Sequence, residues 1–261
     1  MSRDFEEIAR REEMKKVDWR RIKRKKGDEA LETVEEVFDR KTVMALYQMI
    51  NKGIIDGMRG VVKAGKESRV YWAKGTSGED LAVKIFLTSS MGFKKSMLQY
   101  IHGDPRFKVG HDYRRIVYTW AQKEFRNLTD ARNAGVPVPR PIYVHENVEV
   151  MEFIGLDGIP SPILKELPKE EITEEIYNDI VNAVDILFRK ADLVHADLSE
   201  YNVMVHGNRI FLIDFGQAVS REHPMAEEFL RRDVGNIIRF FDKAGIDVPK
   251  EEEVLKWLKR S

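Results

Sequence analysis

The stretch His195-Ala196-Asp197-Leu198-Ser199-Glu200-Tyr201-Asn202, read together with Ile213-Asp214-Phe215-Gly216, decides how this sequence folds. Between the two lie alternating runs, Val203-Met204-Val205-His206 and Arg209-Ile210-Phe211-Leu212-Ile213, joined by Gly207-Asn208. Period-two alternation on both sides of a Gly-Asn pair predicts a hairpin. A hairpin returns the chain to its start, so it brings Asp214 towards Asn202. Carboxylate and amide oxygens placed together suit a hard divalent cation such as Mg2+. Taken singly, Asp197 reads as a turn residue and Asp214 as a strand-end cap. The ordered set of His-x-Asp-x4-Asn, hairpin and Ile-Asp-Phe-Gly carries more than either.

Upstream, Ile54-Ile55 and Val61-Val62 flank a Gly57/Gly60 region, followed by Arg69-Val70-Tyr71-Trp72-Ala73, a Gly75-Thr76-Ser77-Gly78 turn and Leu81-Ala82-Val83-Lys84-Ile85-Phe86. These short runs predict an antiparallel meander. Val117, Ala121, Phe125 and Leu128 recur at helical spacing, predicting a helix from about Tyr113 to Ala134 that Gly135-Val136-Pro137 stops. Ile142-Tyr143-Val144 and Val148 to Ile154 form a further strand pair, and Gly155 to Pro162 reads as a break between lobes. Helices are expected near 172–191, 225–243 and 249–260, and another over 30–53. The division is an N-terminal extension over 1–53, a first lobe over 54–154 with the sheet and the Glu124 helix, and a second lobe over 155–261. Residues 1 to about 30 concentrate Lys15, Lys16, Arg20, Arg21 and Lys23–Lys26 around Trp19. This lead reads equally as a solvated arm or as a basic patch for RNA.

The chemistry that fits is phosphoryl transfer from ATP, which needs metal-bound phosphates, a positioned acceptor and countercharge. Asp197 reads as the acceptor-positioning base, Asn202 and Asp214 as metal ligands, and His195 as a residue that holds the loop by hydrogen bonds. Lys84, inside an apolar strand, reads as the phosphate lysine and Glu124 as its helix partner. Alone, the first reads as an outward edge lysine and the second as a solvated helix residue. The phosphate loop, Ala64-Gly65-Lys66-Glu67-Ser68-Arg69-Val70, has one glycine, and no Walker A pattern occurs in the chain. Ser68 and backbone amides remain as phosphate donors. Glu152 and Ile154 stand where backbone groups would meet adenine, with Val70, Ala82 and Met151 as apolar walls or as plain core.

Composition narrows the partners. The chain has 261 residues, 43% of them hydrophobic and 34% charged, with zero net charge and no cysteine. Disulfides, thiolate metal sites and cysteine nucleophiles are excluded. Balanced charge predicts neither DNA nor a membrane as partner. No signal-peptide core opens the sequence and no apolar run approaches the roughly 20 residues of a membrane span. A cytoplasmic protein is expected.

The motifs resemble the RIO family of atypical serine/threonine protein kinases, most closely its Rio-one subfamily in archaeal-like form. The carriers are Gly65-Lys66-Glu67-Ser68-Arg69-Val70-Tyr71, Ala82-Val83-Lys84-Ile85, Lys123 to Leu128, Met151 to Gly155, the His195 and Asp214 loops, His223-Pro224-Met225-Ala226 and Arg231-Arg232-Asp233-Val234. The resemblance implies an α+β, two-lobed protein-kinase-like fold with a reduced second lobe, lacking the activation segment and the peptide-binding subdomains. It also implies ATP with Mg2+ (Mn2+ as the alternative ion), ATPase action with Asp214 able to take the phosphoryl group, and partnership with the pre-ribosomal small subunit, its rRNA and proteins. Two departures stand out. The family often reads Ser-Thr-Gly-Lys-Glu-Ala where this chain has Lys63-Ala64-Gly65-Lys66-Glu67-Ser68. No serine lies between Ser96 and Ser161, so self-phosphorylation in the loop before the Glu124 helix does not transfer. Two other readings stay open: a small-molecule phosphotransferase of the aminoglycoside or choline kinase kind, and an ATP-gated binding module.

Overall fold

Residues 38–88, 94–107 and 112–260 are described by the computed structural model. The basic lead and residues 30–37 of the helix expected over 30–53 lie outside them, and within them that helix begins only at Arg40. Among the described residues the chain forms two compact units. One takes those of Met1–Gly92 with Ile142–Pro160, the other those of Phe93–Pro141 with Ser161–Ser261.

In the first unit, Asp39 caps helix α1 (Arg40–Asn51) by accepting from the amides of Lys41 and Thr42 at 3.0 and 3.2 Å. Strands β1 (Gly57–Ala64), β2 (Ser68–Lys74), β3 (Asp80–Phe86), β4 (Pro141–His145) and β5 (Val148–Glu152) form one sheet in the order β1-β2-β3-β5-β4. Side chains alternate across such a sheet. Tyr71, Ala73, Leu81, Val83, Ile85, Val148 and Val150 therefore share one face, and all are buried in a cluster with Val43, Leu46 and Met49 of α1. Burying each large apolar side chain of that cluster stabilises the unit by about 1.5–3 kcal/mol. The helix thus covers one face of the sheet, and the alternate residues point to the other.

The stretch expected to be an irregular break between lobes is instead a small hairpin, β6 (Gly155–Leu156) paired with β7 (Ile159–Pro160). It belongs to the first unit. A Cβ at Gly155 would sit 2.2 Å from the Ile159 carbonyl oxygen, so only glycine lets the two arms close.

In the second unit, helices α2 (Lys94–Ile101) and α3 (Tyr113–Ala134) come in sequence between β3 and β4 of the first unit. Gly135, at φ 96°, ends α3 in the left-handed conformation that the sequence reserves for glycine. Thr173 caps α4 (Glu174–Arg189), followed by β8 (Leu193–Val194), β9 (Val203–His206), β10 (Arg209–Leu212) and β11 (Val219–Ser220). The β9–β10 hairpin pairs Arg209 with His206 and Leu212 with Val203, the register its alternation requires. Helices α5 (Ala226–Ala244) and α6 (Glu251–Leu258) complete the unit. The helix bearing Glu124 is compact with this second unit rather than with the sheet. Among the described residues no helix is long and apolar enough to cross a membrane.

Candidate active site

In the first unit, the sheet carries one set of the residues singled out above. Cross-strand partners point to the same side. The registers Ser68–Phe86, Val70–Lys84, Trp72–Ala82, Ala82–Met151 and Lys84–Glu149 therefore place Ser68, Val70, Ala82, Lys84 and Met151 together, opposite the face that α1 covers. Lys84 is nearly buried, its Nζ 5.1 Å from the Phe86 ring centroid. Glu152 ends β5, and Ile154 is buried just beyond it. At the β1–β2 turn the Gly65 amide donates to the Ser68 carbonyl at 2.9 Å. That amide is committed within the turn, so the phosphate-loop expectation narrows to Ser68 and the remaining amides.

In the second unit lie the 195–202 and 213–216 loops. The hairpin ladder extends one step past its strands, because the Ile213 amide donates to the Asn202 carbonyl at 3.0 Å. This brings Asn202 beside the residue that precedes Asp214. The Asn202 amide nitrogen donates to the Asp197 carbonyl oxygen at 2.8 Å and to Asp197 Oδ2 at 3.3 Å. With its nitrogen committed to Asp197, Asn202 has only its side-chain oxygen left to act as an acceptor. Asp197 Oδ2 also accepts from Gln217 Nε2 at 3.0 Å. Burial, reinforced by the Asp214 carboxylate, pushes Asp197 up to about 6 against the pull of Arg232 and Asn202. A carboxylate held there can take a proton near neutrality. Asn202 and Asp214 offer the hard oxygen ligands that Mg2+ requires.

His195 is fully buried, and burial lowers its pKa to about 4. The ring stays neutral, donates from Nε2 to the Ile213 carbonyl at 3.1 Å and lies 4.8 Å from the Phe215 ring. It ties the 195–202 loop to the residue before Asp214, the hydrogen-bonding part its sequence context suggested, and is not poised as an acid or base. Ala196 and Asp214 both adopt positive φ, 64° and 68°. Such strain in non-glycine residues persists only where the surroundings over-determine it.

Those surroundings are two helices. From α5, Asp233 accepts from the amides of Ala196 at 2.7 Å and Leu198 at 2.9 Å, Asn236 donates to the Leu198 carbonyl at 3.0 Å, and Arg232 donates to the Ala196 carbonyl. The backbone on either side of Asp197 is thereby held. From α3, Asn127 donates to the Phe215 carbonyl at 3.0 Å and the Ala218 carbonyl at 2.8 Å. Lys123, with no exposed surface, donates to the Gly216 carbonyl at 3.1 Å and to that of Ala218. Gly216 lies against Trp120, and a Cβ there would come within 2.9 Å of the indole. Glu124 is buried on the same helix.

A family profile described as the RIO domain matches residues 69–254, most of the chain and all of these loops. The chain belongs to the RIO family. It is 39% identical over 255 residues to human serine/threonine-protein kinase RIO1, an alignment covering 96% of this chain and 44% of that protein. It is 41% identical over 245 residues to the RIO-type serine/threonine-protein kinase Rio1 of Haloferax volcanii, covering 94% and 83%. The chain spans less than half the length of the human relative. Among solved structures, the Rio2 kinase–ADP/Mg2+–phosphoaspartate complex of Chaetomium thermophilum superposes with a TM-score of 0.63 at 21% identity, covering 84% of this chain and 67% of that one. That likeness shows an α+β, kinase-like fold. In this RIO domain the chain runs from Gly216 through β11 straight into α5 at Ala226, as expected where an activation segment is lacking.

The gripping residues were not singled out for a role by the sequence. Their signal was nevertheless present. Lys123, Glu124 and Asn127 interrupt the apolar face of α3, and Asp233 interrupts that of α5 between Leu230 and Ile237. A polar residue at a periodic core position must find a buried partner.

Two outcomes follow from the grip. Asp233→Ala strips two buried amides of their acceptor and will cost on the order of 3 kcal/mol in denaturant unfolding. Burial lowers Lys123 from 10.5 to about 7. Its unfolded form holds a proton that the folded form releases, so wild-type stability rises with pH from about 7 towards 10.5. Lys123→Met will flatten that rise in unfolding free energy measured across the window.

Proposed function

We propose that this RIO domain is an ATP-using atypical serine/threonine protein kinase whose turnover is largely ATP hydrolysis, acting in maturation of the small ribosomal subunit. The observation that carries the reading is the Asp197–Asn202–Asp214 cluster, held in strained geometry by α5 and α3. The names of its relatives as serine/threonine-protein kinases support it. On this reading Lys84 and Glu124 orient the α- and β-phosphates, with Ser68 beside them. Val70, Ala82 and Met151 bound the adenine, and Glu152 and Ile154 offer it backbone groups. Asn202 and Asp214 hold Mg2+, or Mn2+ in its place, which supplies countercharge to the phosphates. Asp197 orients the acceptor hydroxyl or water and receives its proton. Functionally the lobes divide as 54–154 and 155–261, with 1–53 as an extension, since α3 serves the phosphates although it is compact with the second unit. Pre-ribosomal rRNA and proteins are the proposed partners, and the cytoplasm the proposed location.

A Rio2 kinase has been solved as a phosphoaspartate complex with ADP and Mg2+. The same chemistry here falls on Asp214. Its carboxylate oxygen attacks the γ-phosphorus, the bond to the β,γ-bridging oxygen breaks, and ADP leaves. Water then cleaves the acyl phosphate and returns Asp214 to its carboxylate.

Asp197→Ala is expected to slow phosphate release from ATP by about 10²–10⁴-fold while leaving ATP binding in place. Turnover at the wild-type rate in that variant, measured beside nucleotide titration, would sink the assignment. Protein labelled with γ-phosphate-tagged ATP should lose its label to neutral hydroxylamine, because an acyl phosphate is cleaved and a phosphoserine is not. Retention of the label would instead place it on a hydroxyl.

A further inference from the structure

The sheet face that carries Lys84 also carries a second charge that neither the motifs nor the proposed function uses. Glu149 of β5 has no exposed surface, and its register partner on β3 is Lys84, itself 8% exposed. Directly opposed residues of an antiparallel pair share a face with their Cβ atoms about 4.5–5.5 Å apart. Neither Glu149 carboxylate oxygen makes a hydrogen bond, so the relation to Lys84 is one of opposed charges on neighbouring strands rather than a closed hydrogen bond. One step along the face in either direction the β3 residues are Ala82 and Phe86, and Lys84's other cross-strand partner is Val70. An ionised carboxylate removed from water is tolerated only with a cation beside it. The cation that β3 sets directly across from Glu149 is the lysine.

We propose that Glu149 is the resident counterion of Lys84, a positioning residue built into the same sheet as the phosphate lysine. The inference rests on the reading of Lys84 given above. In that reading a glutamate on a helix, Glu124, steadies the lysine. Glu149 adds a carboxylate fixed by the β3–β5 ladder itself. The lysine therefore remains charged and extended among apolar neighbours before ATP arrives, whatever position that helix takes. Incoming phosphates share the ammonium with Glu149.

The test uses the full chain. Lys84 is titrated by its rate of acylation with an N-hydroxysuccinimide ester, read by peptide mass spectrometry from pH 6 to 11, alongside ATP kinetics. Glu149→Gln should lower the midpoint of Lys84 labelling by at least one pH unit, because a buried ammonium that loses a nearby carboxylate is disfavoured. It should raise KM for ATP about tenfold at pH 8 with kcat changed less than threefold, and Glu149→Asp should recover part of both. An unchanged midpoint and KM in a folded Glu149→Gln protein overturns the proposal. Should that variant not fold, thermal unfolding of Lys84→Met, Glu149→Leu and the double variant decides. A double variant more stable than the less stable single supports the pair, and losses that simply add, or a double variant that does not fold, overturn it. ATP binding retained by Lys84→Met would refute the functional reading of the lysine without touching this coupling, so the two failures are distinguishable.

Discussion

One buried carboxylate organises the second unit. Asp233 reaches from α5 to the amides flanking Asp197 and accepts from both. Hydrogen bonds to a charged acceptor are each worth about 1.5–3 kcal/mol, enough to hold Ala196 at a φ it would otherwise avoid. Burial pushes Asp233 up to about 7 despite those two donations, so the grip is maintained against a considerable desolvation cost. The backbone polar groups around Asp197 are committed to α5 and to Asn202, while its side chain accepts from Asn202 and Gln217.

The loop after Asp214 is fixed in the same way but from another helix. Carbonyls of Phe215, Gly216 and Ala218 point into α3, where Lys123 and Asn127 receive them. Arg106 in turn holds Asn127 Oδ1 at 2.9 Å and both oxygens of the buried Asp104, so the clamp is itself clamped. Asp214 is thus positioned by its successors in the chain, and His195 connects its predecessor Ile213 to the catalytic loop. The two loops form one hydrogen-bonded assembly running from His195 to Ala218.

What was legible in the sequence was what repeats or punctuates. The β9–β10 hairpin follows from alternation around Gly207-Asn208, and α3 from a helical period closed by Gly135. The proximity of Asn202 and Asp214 follows from that hairpin without any appeal to tertiary contacts. What escaped notice depends on partners far apart in the chain. Asp233 has meaning only once α5 lies against residue 196, and Glu149 only once β5 pairs with β3 across more than sixty intervening residues. The Gly155 to Pro160 segment reads as a break because its strands are two residues long, too short for a period to register. The compact grouping of α3 with the second unit depends on its side-chain partners at 215–218, which no local pattern encodes.

The contact between Gly216 and Trp120 gives the Asp214 loop an optical reporter. The indole lies in van der Waals reach of the backbone two residues after Asp214, with Tyr100 edge-on to it at 6.2 Å between ring centroids. Any displacement of that loop alters the polarity and quenching around one of only four tryptophans in the chain. The intrinsic emission of the unlabelled protein therefore carries a record of where the loop stands, in a spectral channel that no added dye perturbs.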